Sequence, residues 1–435
     1  MISKWRWLLL RLARQIWFRA SLFALLGVVT ALLSAGAQWV IPAEISGKIG
    51  SEAVGPILNI LASSMLAVTT FSLTVMVTAY SAASAHVTPR AAKLLREDPT
   101  TQNVLAVFVG AFLYSLVGII ALNTDIYGAS GRAMLFAVTL VVILIMVIAL
   151  LRWINHLARL GMVDETSRNV ESAARAAFEE RTNTPFMGGR PLRNGKDDVP
   201  ASAIPVYAGL PGYVQHVDMS ALCEAGRNAG EGDEVAVYLA ALPGAYVHAR
   251  RPLLWIAGLA ESEAASETLA PFRNACVVGD QRNFDGDPRF GLVVLTEIAS
   301  RALSPGVNDP GTAIDIVGRQ FRLLAAWAEQ GEREGDGDPA CPNVHVPPLS
   351  VDDMFDDAFA PIARDGAALL EVQLRLLKAL RALAGLGGPG FRKAALRHAQ
   401  AALKRSEEKL LLEEEKARLR DIVREMERIG EAVEL

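Results

Sequence analysis

Along the chain, long uncharged apolar runs give way to short periodic ones. Four stretches, at about residues 20–41, 57–82, 103–123 and 133–154, each reach the roughly 20 residues that a helix rising about 1.5 Å per residue needs to cross hydrocarbon. The pattern predicts a four-helix transmembrane domain over residues 20–160. Helix formers then continue without proline as far as Arg181, so residues 133–181 read as one rod roughly 70 Å long. Residues 182–203 are rich in Pro and Gly and read as a linker, which completes a 161–203 segment of rod and linker.

Short apolar runs separated by Gly and Pro fill residues 204–262, the pattern of a small β module with "ALCEAGRNAG" as an internal helix. Over 263–390 the period is helical again, apart from a Gly- and acid-rich loop near 329–348. There "PLSVDDMF" spaces Ser350 and Asp353 as a capping box that opens a further helix. Residues 391–435 form a charged helix in which Leu412, Leu419, Ile422, Met426, Ile429 and Val433 keep close to a 3 and 4 alternation, broken at Glu415 and Lys416. It fits a coiled-coil seam and an amphipathic helix packed on its own domain equally well. The expected fold class is membrane α-helical with four spans, plus a cytoplasmic α+β domain with a small β module and a helical C-terminal part.

Cations set the orientation, because cytoplasmic flanks retain Lys and Arg. Lys4, Arg6, Arg11, Arg14 and Arg19 precede the first span, Arg90, Lys93 and Arg96 separate the second and third, and Arg152 and Arg159 follow the fourth. The other two loops hold only Lys48 and Arg132 against Glu44, Glu52 and Asp125. Both termini are therefore expected in the cytoplasm. Trp5, Trp7 and Trp17 among the leading arginines suit an interfacial basic helix over residues 1–19, lying along the inner headgroups. A rival reading takes the first 37 residues as a cleaved signal peptide, since Ala35 and Ala37 follow an apolar run.

The second span is unusual in composition. Nine of residues 63–84 are Ser or Thr, and at about 100 degrees per residue Ser63, Thr70, Thr74, Thr78, Ser81 and Ser84 fall within about a third of the helix circumference. Hydroxyls of this kind return hydrogen bonds to the carbonyl one turn back and let membrane helices pack closely. They equally suit the lining of a path shared by several subunits, since four spans per chain are too few to enclose a wide one. At the inner end "SAHVTPRAAKLLRED" places Thr88 as N-cap and Pro89 at the first helical position, which brings His86, Arg90 and Lys93 to the inner surface. Anionic headgroups account for those cations, and so does an anion-concentrating mouth.

In the soluble part "RALSPGVNDPGTAID" reads as a helix stop and restart: Ser304 and Pro305 end one helix, Gly306 takes positive φ, Asp309 caps the next and Pro310 opens it. Arg301, Asn308, Asp309 and Asp315 also make candidates for a polar pocket with Arg282, Asp285 and Asp287. These motifs, together with "FSLTV", "HVTPR", "FVGAFLYSL", "GYVQHVD" and "RNFDGDPRFG", resemble an uncharacterised family of predicted bacterial membrane proteins catalogued as a domain of unknown function. Thr88 stands where that pattern leads one to expect Ser, and Asn283 where it leads one to expect Thr. The resemblance covers nearly the whole chain and implies a multi-span protein of bacterial type, hence the inner membrane. It implies no activity.

Charge divides sharply. Residues 1–160 hold 12 Lys and Arg against 5 Asp and Glu, and the remainder holds 31 against 42. An acidic soluble part argues against nucleic acid as a partner. Cys223, Cys276 and Cys341 all fall there and need no disulfide. "NFDGD" lacks the first acid and the final Glu of a calcium loop, Cys341 and His345 lack a second metal-ligand pair, and no phosphate-cradling loop or nucleophile elbow occurs. Asp352, Asp353, Asp356 and Asp357 read as acids on a solvated first helical turn. No catalytic residue, metal site or cofactor is expected. The expected function is an oligomeric inner-membrane channel or transport-like protein, with the bilayer, copies of itself and an unidentified ion or small ligand as partners. The alternative is a membrane-anchored binding or signalling protein whose spans only anchor and dimerise it.

Overall fold

The computed structural model describes residues 53–96, 98–123, 129–229, 235–259, 266–331 and 338–434, with scattered helical positions between 4 and 29. The chain divides into two units, Leu8–Thr166, and Met1–Trp7 with Ser167–Leu435.

In the first unit, uninterrupted apolar sequence gives α1 (Val54–His86), α3 (Pro99–Asn123) and α4 (Ala129–Leu157), with the short α2 (Pro89–Arg96) after α1. Among the described residues, three helices are long and apolar enough to cross a membrane, over Val54–Ala82, Pro99–Asn123 and Gly131–Leu157. The expected first span lies outside the described residues except for Ser21, Leu22, Ala24, Leu25, Val28 and Val29, which are helical. In its most apolar stretch α3 is 56% buried, against 22% for α1 and 17% for α4, so α3 is the middle helix. Leu58, Tyr114 and Leu135 form one core layer, and Met65, Phe108 and Trp153 another. Tyr114 also ties α3 to α4, donating to the Leu135 carbonyl at 3.3 Å and sharing a 3.0 Å hydrogen bond with Thr139. Such interhelical bonds contribute about 0.6 kcal/mol each.

The expected continuous rod over 133–181 is broken. After α4 ends, the Leu160 and Met162 amides donate to the Leu157 and Arg159 carbonyls in a turn, and α5 (Val163–Asn183) starts afresh. Gly161 explains the break: its φ is +82, and a Cβ there would stand 3.2 Å from the Ala79 carbonyl oxygen.

In the second unit the β structure reaches well beyond 204–262. The strands are β1 (Gly189–Pro191), β2 (Ile204–Tyr207), β3 (Gly212–Val217), β4 (Ala236–Leu239), β5 (Tyr246–Val247), β6 (Pro252–Ala257), β7 (Cys276–Gly279) and β8 (Cys341–Val346). They form a five-stranded sheet of order β1-β8-β4-β6-β2 and a three-stranded sheet of order β5-β3-β7. The expected linker therefore supplies an edge strand, the segment expected to be helical supplies β7, and the loop expected near 329–348 supplies β8. Val237, Leu239, Leu254, Ile256 and Val344 are buried in one core with Leu222 of α6 (Met219–Ala229) and Phe272 of α7 (Ser266–Asn274).

The chain's start joins this core. Trp7 is 5% exposed and stacks on His216 with ring centroids 5.2 Å apart, while the Lys4 amide donates to Asp218 and its Nζ to the Asn274 carbonyl. Trp7 is thus a buried partner of the sheet rather than the interfacial anchor expected. Trp5 and Trp17 lie outside the described residues.

The remaining helices are α8 (Pro288–Ala302), α9 (Pro310–Gln330), α10 (Val351–Asp365), α11 (Leu370–Leu386), α12 (Pro389–Lys409) and α13 (Glu413–Glu434). The single C-terminal helix expected over 391–435 is in fact two, because Leu410 adopts extended backbone. Helix α13 buries Leu419, Ile422, Val423 and Met426 and packs on α11 and α12, the amphipathic arrangement rather than a free seam. Leu412 is exposed, and the Ile429 and Val433 side chains lie outside the described residues. The four acids of α10 are not simply solvated. Arg289 bonds Asp353 and Asp357, Arg397 bonds Asp352 and Asp356, and His398 Nε2 lies 2.9 Å from Asp356, so α10 is cross-linked to α8 and α12. Ser350 does cap α10, accepting from the Asp353 amide at 3.2 Å.

Helix α5 approaches α8 so closely that a Cβ on Gly291 would meet the Ala174 Cβ at 2.2 Å. Gly291→Ala is accordingly expected to destabilise the protein by about 1–3 kcal/mol, read as a lower denaturant midpoint. An unchanged midpoint would contradict this contact.

Candidate functional site

Among the described residues, the hydroxyl stripe lies on the outside of the three-helix bundle. Ser63, Thr70, Thr74, Thr78 and Ser81 are exposed and Ser84 is half-buried. Each of the first four donates to a carbonyl one turn back on α1: Ser63 to Asn59, Thr70 to Leu66, and Thr74 to Thr70 at 3.0 Å, and Thr78 to Thr74 at 3.0 Å. A hydroxyl whose proton is used inward presents only oxygen lone pairs outward. The stripe is therefore a row of acceptors on a face that α3 and α4 do not cover.

At one end of α1, Thr88 caps α2 by accepting from the Ala91 amide at 3.1 Å. Arg90 is exposed and Lys93 half-buried. His86 ends α1, and its side chain lies outside the described residues. Nearby in sequence, a polar contact joins α3 to α4: Asp98 accepts from the Thr101 amide at 2.6 Å and lies 3.2 Å from His156 Nε2, which is also 3.0 Å from the Thr101 hydroxyl. Sequence reasoning missed this contact, since Asp98 and His156 are far apart along the chain.

In the second unit two Asp-Pro steps open helices. Asp287, 2% exposed, accepts from the Phe290 amide at 3.1 Å and takes a bidentate bond from Arg282 at 2.8 and 3.0 Å. Burial pushes its carboxyl up, against the pull of Arg282. Gly244 is required beside it, because a Cβ there would fall 2.1 Å from Asp287 Oδ2. Asp309 caps α9, accepting from the Thr312 amide at 3.0 Å and the Thr312 hydroxyl at 2.6 Å, and these bonds, the hydroxyl's foremost, hold its carboxyl below the usual range. Positive φ falls on Asn308 (50) rather than on Gly306 as expected. Asn tolerates the left-handed region better than most residues with a side chain.

The seven pocket candidates do not converge. Arg282, Asp285 and Asp287 precede α8, whereas Arg301, Asn308 and Asp309 sit at its far end, and 15 helical residues rising about 1.5 Å each separate the groups by roughly 20 Å. Arg301, Asn308 and Asp309 are exposed. Asp315 belongs to a different cluster, bonded at 2.6 Å to Arg319, which reaches Glu171 of α5 at 2.9 Å. Arg322 grips the same Glu171 with two bonds of 2.8 Å, and Arg175 approaches it at 3.5 Å. Burial pushes the Glu171 carboxyl up, but Arg322 and Arg319 outweigh it and leave the group below its ordinary value. The available signal was the four-residue spacing of Glu171 with Arg175 and of Asp315 with Arg319; nothing local joined the two pairs.

The family model described as "Predicted membrane protein (DUF2254)" matches residues 13–382. Uncharacterised proteins of Mycobacterium tuberculosis H37Rv and Mycobacterium bovis are each 30% identical over 257 residues, covering 57% of this chain and 47% of the relative. The chain spans about half the length of the curated relatives it matches. No solved structure matches it.

The capping geometry makes a graded prediction. Asp309→Ala is expected to cost about 1 kcal/mol of stability and Asp309→Ser much less, because a serine hydroxyl also accepts from the N3 amide. Denaturant melts of the three proteins decide it, and equal losses for Ser and Ala would contradict the cap.

Proposed function

Because the chain belongs to the DUF2254 family of predicted membrane proteins, we propose that it is an oligomeric channel or transport-like protein of the bacterial inner membrane. In this reading its copies meet across the hydroxyl face of α1, and its soluble unit regulates the assembly from the cytoplasm. One observation carries the reading: the face holding Ser63, Thr70, Thr74 and Thr78 is turned away from α3 and α4. A polar face left outside a membrane bundle gains nothing from acyl chains, whereas a shared path gives its acceptors water or a cation to bind. No group in this arrangement is assigned to covalent chemistry, and the reading is not that of an enzyme.

The proposal of four spans rests on parity. Lys4 and Trp7 join the unit that follows the last span, so the chain's start and that unit share one side of the membrane. An even number of crossings must lie between them, and three candidates are described. The apolar run over 20–41 supplies the fourth, and the Lys and Arg asymmetry puts both ends in the cytoplasm. A second reading, a membrane-anchored binding or signalling protein, draws on the hydroxyl bonds themselves, since groups satisfied by their own helix need no path.

Reporter fusions at Lys48, His86, Tyr127 and Arg181 are expected to report outside, inside, outside and inside in that order. Any other order contradicts the topology. For function, purified protein in liposomes is expected to pass ions, and Thr74→Val with Thr78→Val to reduce that flux while leaving oligomer size intact. An absence of flux from the wild-type protein across common cations and anions would contradict the channel reading. A smaller oligomer with unchanged flux would assign the hydroxyls to packing, at roughly 0.6 kcal/mol per lost bond.

A further inference from the structure

Where Glu171 and Asp315 sit, the carboxylates are outnumbered. Arg175 of α5 and Arg319 and Arg322 of α9 pair with them, and Arg375 of α11 lies beside Arg322 at Gly318, which makes four arginines from three helices. Arg319 is buried and divides its bonds between the two acids. The other three face outward, with Arg175 and Arg322 side chains 42% and 49% exposed and Arg375 also exposed.

Arg375 makes no hydrogen bond or ion pair among the described residues, yet it lies against the cluster. Its Nη2 is 3.4 Å from the point a Cβ would occupy on Gly318, and Arg322 Nη1 is 3.8 Å from that same point. Arg322 commits its other two nitrogens to Glu171, so Nη1 is the part left over. Two guanidinium groups thus lie within contact distance of where a side chain on one buried glycine would begin. Like charges gathered on one surface repel, and a bridging anion relieves the repulsion. Four arginines against two carboxylates leave an excess of two positive charges, and guanidinium forks match the oxygens of a phosphate group in pairs.

We propose that Arg175, Arg322 and Arg375 form a binding site for a phosphate dianion, with Gly318 as its floor and the buried Glu171–Arg319 pair holding Arg322 in position. The site stands whether or not the spans conduct. Its ligand chemistry is a terminal phosphate, carried by a soluble phosphate compound or by a lipid headgroup, since α5 is the first helix after the last span.

Calorimetric titration of the full chain in neutral detergent tests it, with inorganic phosphate as one probe and dioctanoyl phosphatidic acid as the other. Dioctanoyl phosphatidylcholine, whose phosphate is a neutralised diester, serves as the blank. Binding of inorganic phosphate identifies a soluble source, and binding of phosphatidic acid alone identifies a headgroup. In either case Arg375→Gln is expected to weaken binding about tenfold, the loss of one charge-assisted bond, while the unliganded melting midpoint does not fall, because Arg375 makes no hydrogen bond or ion pair among the described residues. Should that midpoint fall, Arg175→Gln carries the same comparison. Arg424→Gln, a change to an exposed arginine on α13, is expected to bind as wild type does. No binding of either dianionic probe overturns the proposal, and so does an equal loss in Arg424→Gln, which would reduce the effect to net charge.

Discussion

A single carboxylate fastens α5, the helix that follows the third candidate span, to α9 in the second unit. Glu171 is only 10% exposed at its side chain, and its charge is tolerable because Arg319 and Arg322 bond both of its oxygens. Removing one partner of such a pair strands the other and costs about 3–5 kcal/mol. The same face of α5 carries Ala174, which sits on Gly291, and Phe178, which packs on Trp327 with centroids 5.4 Å apart. One charge, one close backbone approach and one aromatic contact, at helical spacing, thus fix α5 on α8 and α9. With its pKa lowered in the fold, Glu171 contributes stability that is present above the ordinary carboxylate range and is lost as pH falls through its folded value.

In the membrane unit a different constraint governs. Lipid offers no hydrogen bonds, so every polar group must find its partner within protein. Tyr114 and Thr139 do so across helices, and the Ser63, Thr70, Thr74 and Thr78 hydroxyls do so on their own backbone. The two solutions have different consequences. The first joins α3 to α4; the second leaves a row of oxygen acceptors on a face that α3 and α4 do not cover, and the proposed path depends on what that face meets. The chain's start adds a third tie, since Trp7 stacks on His216 and the Lys4 Nζ donates to the Asn274 carbonyl within the second unit.

What could be read from the residues was what is local. Three apolar spans, the caps at Thr88, Asp309 and Ser350, and the amphipathic face of α13 each declare themselves within a few residues. Several misses depended on distant partners. Strands β1 and β8 pair in parallel although some 150 residues lie between them, and three or four residues show no period by themselves. Arg319 meets Glu171 across 148 positions, and the Trp7 ring meets His216 from the far end of the chain. The polar pocket failed for the opposite reason: residues close in sequence were assumed to converge, while the intervening α8 holds them at its two ends. Gly161 was legible as a residue but not as a break, because its positive φ answers to a close approach by Ala79.

The most direct test of the central claim is a structure of the assembled protein in a lipid nanodisc. It is expected to show several copies with the Ser63, Thr70, Thr74 and Thr78 faces of α1 turned toward one continuous, water-accessible opening. A structure in which that face lies against acyl chains, or is sealed tightly against a neighbouring helix with no opening, would contradict the account.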